Sequence, residues 1–420
     1  MHPSRRIIGS KGKVLSGRKI VLAVCGSVAA FKAPELAREI MKQGAEVIPV
    51  MSRGALEFIG KGTMHWATGN EVIAEITGRT EHVELCGNVE GRADALVIAP
   101  ATANVISEIA QGIDRGPVSI LASAALGNMM PLLIVPAMHE SLYKNPILRS
   151  NIERLERAGA KIVKPRREGE KAKLIEADEL VDHVAREICG EERMKGKRIV
   201  VAAGATREYI DDVRFISNRS TGKMGVEIAR EAWRRGGEVI LVGANLMERV
   251  PSYIGLVECE TAEEMEEALL NERADAYVFA AAVGDFEVEK EEGKLGAGRE
   301  RKLVLRPRIK LVERVRKKFA NARFVIFKAE VDQKVLKRNA RKRREEIGAE
   351  YVVANIVGKQ RGFGRADYKA TIIGGKREEE VFGKEEAARR IVQLIIGGKN
   401  TVSRSSEASG HPVRAEEIHR

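Results

Sequence analysis

Short, mostly apolar runs recur along this chain, and most of them end in small, hydroxyl or amide residues. The first half carries them at 19–25, 46–51, 95–99 and 132–135, the second at 199–203, 238–242, 276–281, 324–327 and 351–354. Runs of this length suit strands buried on both faces. Amphipathic helical stretches lie between them, 262–270 for example. Strand–helix alternation predicts parallel sheets with ligands gathered at the carboxyl ends of the strands. The expected fold is therefore α/β, with two doubly wound, mainly parallel-sheet (Rossmann-like/flavodoxin-like) domains in tandem. The chain has 420 residues, enough for two full cores.

The polar segment 189–198, CGEERMKGKR, is the expected joint between domains. It divides the chain into a first domain at 17–190 and a second at 191–396. A basic segment at 1–16, with Arg5, Arg6, Lys11 and Lys13, reads as a solvated tail. The polar segment 397–420 reads as disordered.

One loop is unusually long and polar. After the run at 199–203 come Gly204, Thr206, Arg207, Asp211, Asp212, Arg214, Asn218, Arg219, Ser220, Thr221, Gly222 and Lys223, with no hydrophobic period. A helical pattern then begins, with Val226, Ile228, Ala229, Ala232 and Trp233 on one face. Free N–H groups at such a helix start attract phosphate oxygens, and an Asn amide can donate to an oxyanion. On chemistry alone, the loop fits equally the anion-friendly turn of any doubly wound protein.

Composition narrows the function classes. The 72 basic and 60 acidic side chains leave a formal charge of +12, which suits phosphorylated substrates and nucleic acid alike. Aromatics make up only 4% and do not interleave with basic residues, so nucleic acid is not an expected partner. Cys25, Cys86, Cys189 and Cys259 show no metal or redox spacing, which points to a reducing cytoplasm. The uncharged stretch 116–139 is interrupted by Gly127, Asn128, Pro131 and Pro136, so a helix and a short strand are expected there instead of a membrane span.

The string ATREYIDDVRFISNRSTGKMG, 205–225, resembles the signature of the phosphopantothenate–cysteine ligase family. The resemblance implies that Asn218 and Arg214 hold an acyl-cytidylate formed from 4'-phosphopantothenate and CTP, which L-cysteine then attacks. It further implies that Phe279, Ala280, Ala281 and Asp285, in the segment running into AAAVGDFEVEK, contact the nucleotide. Asp285 would also meet Mg2+, and Lys294 would support nucleotidyl transfer. Pro307, Arg308, Ile309, Lys310 and Phe327 match weaker nucleotide positions. For the next phosphate contact, counting from Asn355 selects Arg343 and counting from Phe327 selects Arg341; Arg343 is preferred. Without the resemblance, Asp285 reads as a strand end, Lys294 as a loop lysine and 334–344 as a solvated helix face.

The first half resembles the flavin-dependent cysteine decarboxylases, in particular those acting on phosphopantothenoylcysteine. GSVAAFK at 26–32, HVEL at 82–85, APATAN at 99–104 and PAMHESLY at 136–143 carry the likeness. It implies FMN held by Gly26, Ser27, Ser52, Thr102 and Ser119, with His82 as catalytic base. In the implied reaction the cysteinyl thiol is oxidised, carbon dioxide leaves, and the resulting enethiolate is protonated and reduced. Two positions depart from the family pattern. His139 replaces an Asn that contacts the substrate carboxylate, and the flap after it lacks the usual cysteine acid, leaving Glu170, Lys171 and Lys173 as candidates. An active ligase with a flavin-binding but non-decarboxylating first domain is the alternative. The relatives' trimers and dimers imply a larger homo-oligomer here, up to a dodecamer.

Overall fold

The computed structural model describes residues 2–168, 171–296, 298, 300–358, 368–375 and 377–397. The segment expected to be disordered therefore lies almost wholly outside the described residues. So do the candidate acid Glu170 and residues 362–367, the opening of the segment GFGRADYKATII, which resembles the ligase family's closing loop and strand.

In the first domain the strands are β1 (Lys19–Val24), β2 (Glu46–Met51), β3 (Ala95–Ala101), β4 (Leu132–Pro136), β5 (Met138–His139), β6 (Lys161–Ile162), β7 (Arg166–Glu168) and β8 (Lys171–Lys173). The helices are α1 (Ala33–Lys42), α2 (Lys61–Thr68), α3 (Glu81–Cys86), α4 (Ala103–Gln111), α5 (Pro117–Gly127), α6 (Glu140–Tyr143), α7 (Pro146–Arg157) and α8 (Ala177–Cys189). The main sheet is parallel, in the order β2-β1-β3-β4-β6. This is the doubly wound order with its switch point between β1 and β3. Alternation along β1 sends Ile20, Leu22 and Val24 to one core and Val21, Ala23 and Cys25 to the other.

In the second domain the strands are β9 (Arg198–Gly204), β10 (Arg207–Tyr209), β11 (Phe215–Ser217), β12 (Glu238–Ala244), β13 (Gly255–Cys259), β14 (Ala276–Phe279), β15 (Phe286–Val288), β16 (Leu305–Pro307), β17 (Arg323–Glu330), β18 (Tyr351–Ile356), β19 (Lys369–Gly374) and β20 (Arg377–Phe382). The helices are α9 (Lys223–Arg234), α10 (Ala262–Asn271), α11 (Leu311–Lys318), α12 (Gln333–Ile347) and α13 (Lys384–Ile396). The order is β13-β12-β9-β14-β17-β18-β19-β20, parallel as far as β18 and antiparallel after it. Val201 and Ala203 face α9 and α13, while Val200 and Ala202 join the opposite core with residues of α10, α11 and α12.

Three expectations need correction. The segment 1–16 is not a solvated tail. It forms a short 3-10 helix (Pro3–Ile7), Leu15 is fully buried, and Arg5 and Lys11 pair with Glu46 and Glu39. The polar loop after β9 is not irregular throughout, because 207–217 folds into the β10–β11 hairpin. Its three-residue strands are too short to show a period, and they are held by remote partners. Arg207 Nη1 and the Tyr209 hydroxyl reach Glu260 at 2.6 and 2.5 Å, and Ser217 Oγ donates to the Thr206 carbonyl at 2.8 Å. The run expected as a strand over 276–281 is regular only to Phe279; beyond it Ala280 N and Ala282 N still donate to the Ala202 and Gly204 carbonyls of β9 at 2.9 and 2.8 Å, so the irregular continuation stays beside the sheet.

The uncharged stretch 116–139 resolves into α5, β4 and β5. Among the described residues no helix is long and apolar enough to cross a membrane. All four cysteines are free.

Candidate active sites

At the carboxyl end of the first sheet, three hydroxyls follow three adjacent strands. Ser27, Ser52 and Thr102 each cap a helical turn, accepting from Ala29 N at 3.3 Å, Ala55 N at 3.2 Å and Val105 N at 3.4 Å. The caps aim successive N–H groups over the strand tips, which is the arrangement that cradles phosphate. Gly26 sits where β1 and β2 converge, and a Cβ there would lie 2.7 Å from the Gly54 carbonyl carbon. Ser27 Oγ also reaches the Ala137 carbonyl at 3.4 Å, tying the 136–143 segment to the same cradle. Ser119 is buried on α5, with its hydroxyl bonded to Gly116 N and O at 3.2 and 3.1 Å.

His82 lies in the short helix α3, which packs on α5. Its Nδ1 is buried with no hydrogen-bond partner among the described residues. A buried imidazole nitrogen without a partner is costly unless a ligand meets it. The capped cradle and a glycine with no room for a side chain fit a flavin phosphate, and the unpartnered imidazole nitrogen of His82 fits a group that a ligand brings.

His139 is exposed, and its Nδ1 accepts from Ser141 N at 3.4 Å as the cap of α6. Its backbone pairs with Lys171 in the β5–β8 ladder, so the flap folds back onto the 136–143 segment. Cys189 ends α8 with Sγ 3.8 Å from the Val14 carbonyl. Arg18 and Asp94, which act on that thiol, belong to the amino edge of the sheet, the wrong end for the flap acid.

The second site is a cleft of about 450 Å³ over the tips of β14, β17 and β18. Among the described residues its wall carries six cations, Lys223, Arg308, Lys310, Lys328, Arg343 and Lys384, against the single carboxylate of Asp285. Asn218, Phe279, Ala280, Ala281, Ile309 and Phe327 complete the predicted set gathered there. Asn218 Nδ2 donates to the Ala282 carbonyl at 3.2 Å, which orients the amide at the cleft neck. Gly204 and Gly222, with φ of +88° and +83°, turn the chain below it, and Gly225 packs where a Cβ would meet Ala203 Cβ at 2.4 Å.

Three predicted residues lie outside the cleft wall. Arg214 Nη1 is committed to Asp211 at 2.8 Å and to the Leu295 carbonyl at 3.1 Å. Burial disfavours ionised Asp211, but the N–H groups of Val213, Arg214 and Leu295 outweigh it and hold the carboxyl at about 2. Lys294 is exposed on the loop that this clasp secures. Pro307, in β16, pairs with Phe286 and faces a separate groove with Glu263 and Glu287.

Helix phase sets Arg343, and not Arg341, on the cleft. Arg343 lines the cleft, pairs with Glu313 at 2.8 Å and leaves Nη2 buried without a partner. Arg341 points elsewhere, to Glu378 on β20. Lys384 and Tyr368 also line the cleft and were not anticipated. They are distant in sequence from the long loop, and no local pattern marks them.

Comparison with known proteins matches one family model to each domain. Residues 8–189 match the model described as "Flavoprotein", and residues 194–398 match the "DNA/pantothenate metabolism flavoprotein C-terminal domain". The chain is 42% identical over 401 residues to the "Coenzyme A biosynthesis bifunctional protein CoaBC" of Thermococcus kodakarensis, covering 93% of this chain and 98% of that protein. The protein of the same description from Methanocaldococcus jannaschii is 36% identical, covering 94% of this chain and 97% of its own length. The crystal structure of a CoaBC C-terminal domain aligns with a TM-score of 0.41 at 29% identity, covering 49% of this chain and 97% of that one.

Proposed function

The chain belongs to the family of coenzyme A biosynthesis bifunctional proteins, and from that premise we propose that its second domain joins L-cysteine to 4'-phosphopantothenate using CTP, and that its first domain decarboxylates the product to 4'-phosphopantetheine using FMN. The observation that carries the ligase assignment is the cleft at the β14, β17 and β18 tips, with six cations facing one carboxylate. Such a wall offsets the charge of a nucleoside triphosphate and a second phosphate together.

Ligation proceeds in two steps. A carboxylate oxygen of phosphopantothenate bonds to the α-phosphorus of CTP, and pyrophosphate leaves with the electrons of the broken P–O bond. The cysteine amine then displaces CMP from the acyl carbon. Asn218, oriented by its bond to Ala282, donates to the acyl phosphate without titrating. Arg343 and Lys310 meet the polyphosphate. Asp285, exposed and 3.7 Å from Lys310, would hold Mg2+ together with phosphate oxygens. Arg214 is read as a positioning residue that carries the Lys294 loop through Asp211.

In the first domain Gly26, Ser27, Ser52, Thr102 and Ser119 would hold FMN. The bound flavin supplies reversible two-electron chemistry at the cysteinyl sulfur. His82 takes the proton there, and His139 donates to the substrate carboxylate in place of an amide. We assign the final proton donor to the β7–β8 flap, where Lys173 is the candidate with a described side chain. A first domain that binds flavin without decarboxylating is not favoured, since near-full-length relatives carry the bifunctional description.

Residence in a reducing cytoplasm is part of the same reading, supported by the four free cysteines. So is a homo-oligomer, supported by exposed Phe31 and Ile147 on the first domain and Phe215 and Phe286 on the second.

The test follows pyrophosphate from phosphopantothenate, CTP and cysteine, and carbon dioxide from phosphopantothenoylcysteine supplied directly. Asn218→Asp is expected to lose only the first and His82→Asn only the second. Loss of both activities in either variant, or of neither, overturns the assignment.

A further inference from the structure

Two helices of the second domain begin side by side at the cleft, and each begins with a lysine. Lys223 opens α9 and Lys384 opens α13; the two helices pack together, and both lysines belong to the cleft wall. Neither makes an ion pair among the described residues. A helix start already carries positive partial charge. Two ammonium groups at two such starts concentrate like charge, with no carboxylate among the described residues paired to offset it. Burial, and then the charge of Lys223, pull the Lys384 ammonium below the usual lysine range; Glu248 and Glu227 act on it in the opposite sense but more weakly.

A third group points the same way. Tyr368 is only 7% exposed and lines the cleft, yet its hydroxyl has no hydrogen-bond partner among the described residues. Its carbonyl accepts from Gly383 N at 2.7 Å, which fixes the residue against the first turn of α13. The cations on the α11–α12 side are already engaged: Arg308 with Glu208 at 2.8 Å, Arg343 with Glu313 at 2.8 Å and Lys310 with Asp285 at 3.7 Å. The two cleft lysines without an ion pair among the described residues and the unpartnered Tyr368 hydroxyl therefore fall together on the α9–α13 side, while Arg343 on the other side keeps Nη2 unpartnered beside its ion pair.

We propose that Lys384, Lys223 and the Tyr368 hydroxyl form a second anion subsite that binds a substrate phosphate, separate from the arginine–lysine group on the α11–α12 side. The inference rests on the ligase reading above. Either of two sources supplies that chemistry, the 4'-phosphate of phosphopantothenate or the terminal phosphates of the nucleotide. The 4'-phosphate anchored here would orient its substrate, whereas terminal phosphates of the nucleotide anchored here are those that leave as pyrophosphate.

The test measures equilibrium binding of 4'-phosphopantothenate and of CTP, each alone, to the full chain by calorimetry, with no turnover. Lys384→Met is expected to weaken one of the two ligands about tenfold or more, and Tyr368→Phe to weaken the same ligand several-fold, in line with hydrogen bonds to charged groups. The other ligand is expected to bind as before, and the ligand that weakens identifies the source. Tyr368→Phe keeps the ring and its packing, so it reports on the hydroxyl even if Lys384→Met perturbs the fold. Unchanged binding of both ligands, or equal weakening of both, overturns the subsite. If the native chain still releases pyrophosphate in that case, the ligase reading survives; a native chain that binds neither ligand overturns both.

Discussion

Asp182 of α8, closed off from solvent, holds two arginines of α9: Arg230 Nη2 at 2.8 Å and Arg234 Nε at 2.6 Å. α8 is the last helix of the first domain and α9 the first helix of the second. Tyr253 also donates to Asp182, while Arg249 pairs with Asp178 and Glu179 of the same helix. The junction is thus a charged, partly buried interface, and the ligase helix that begins at Lys223 is seated on the decarboxylase domain.

Asp182→Asn should weaken this docking by about 2–3 kcal/mol, because it removes the fully buried carboxylate and leaves Arg230 only Asp178 at 3.1 Å and Arg234 only Glu231 at 3.8 Å. Guanidinium denaturation should show a lower midpoint or two separated transitions. An unchanged single transition would mean that the interface is solvated and energetically slight.

His183 gives the junction a pH dependence. Its ring sits edge-on to Trp233 at 4.8 Å and to Tyr253 at 5.4 Å, and burial, only partly offset by Asp182, pushes its pKa down to about 4. The folded value lies below the unfolded one near 6.5, so the unfolded chain binds the proton first. Stability is complete above pH 6.5 and declines as pH falls toward 4, by about 3 kcal/mol at most. Denaturation midpoints between pH 7 and 4 should record this decline, and His183→Phe should flatten it. A profile that His183→Phe leaves unaltered would assign the dependence to another group.

Gly26→Ala places a methyl against the Gly54 backbone at 2.7 Å, where backbone cannot yield cheaply. The purified variant should be colourless or hold flavin about tenfold more weakly, while still releasing pyrophosphate from CTP. A fully yellow Gly26→Ala protein would show that the strand tips tolerate the side chain and that the cradle lies elsewhere.

Arg343 and Arg341 differ by about half a helical turn in facing. Arg343→Met should raise the KM for CTP about tenfold or more, whereas Arg341→Met, which loses a bond to Glu378, should leave it within about twofold. Steady-state kinetics on the two variants decides this. The reverse order would show that the helix phase was misassigned.

Much of the fold was legible in the residues. A short apolar run bounded by small or polar residues is a local property, so β1 and β9 could be recognised without knowing their partners. The positions of Gly26, Ser27, Ser52 and Thr102 just past strand ends could be read for the same reason, while their assignment to a flavin came from the family resemblance. The segment 1–16 was misread because its charges dominate the composition, while the contacts of Leu15 and Arg5 come from α1 and β2. The β10–β11 hairpin was missed because its stabilising partner, Glu260, lies about fifty residues away.

By itself, the order of amino acids determined most strands and helices of the two main sheets, and it marked the polar loop at 204–225 that runs into a helix start. Those features depend on neighbours within a few residues. Only the tertiary structure decided that Arg343 and not Arg341 faces the cleft, that Arg214 is committed to Asp211, that α8 locks onto α9, and that Lys384 and Tyr368 stand beside Lys223. These depend on helix phase and on contacts between distant segments, and a side chain's direction is set by the packing of the element that carries it.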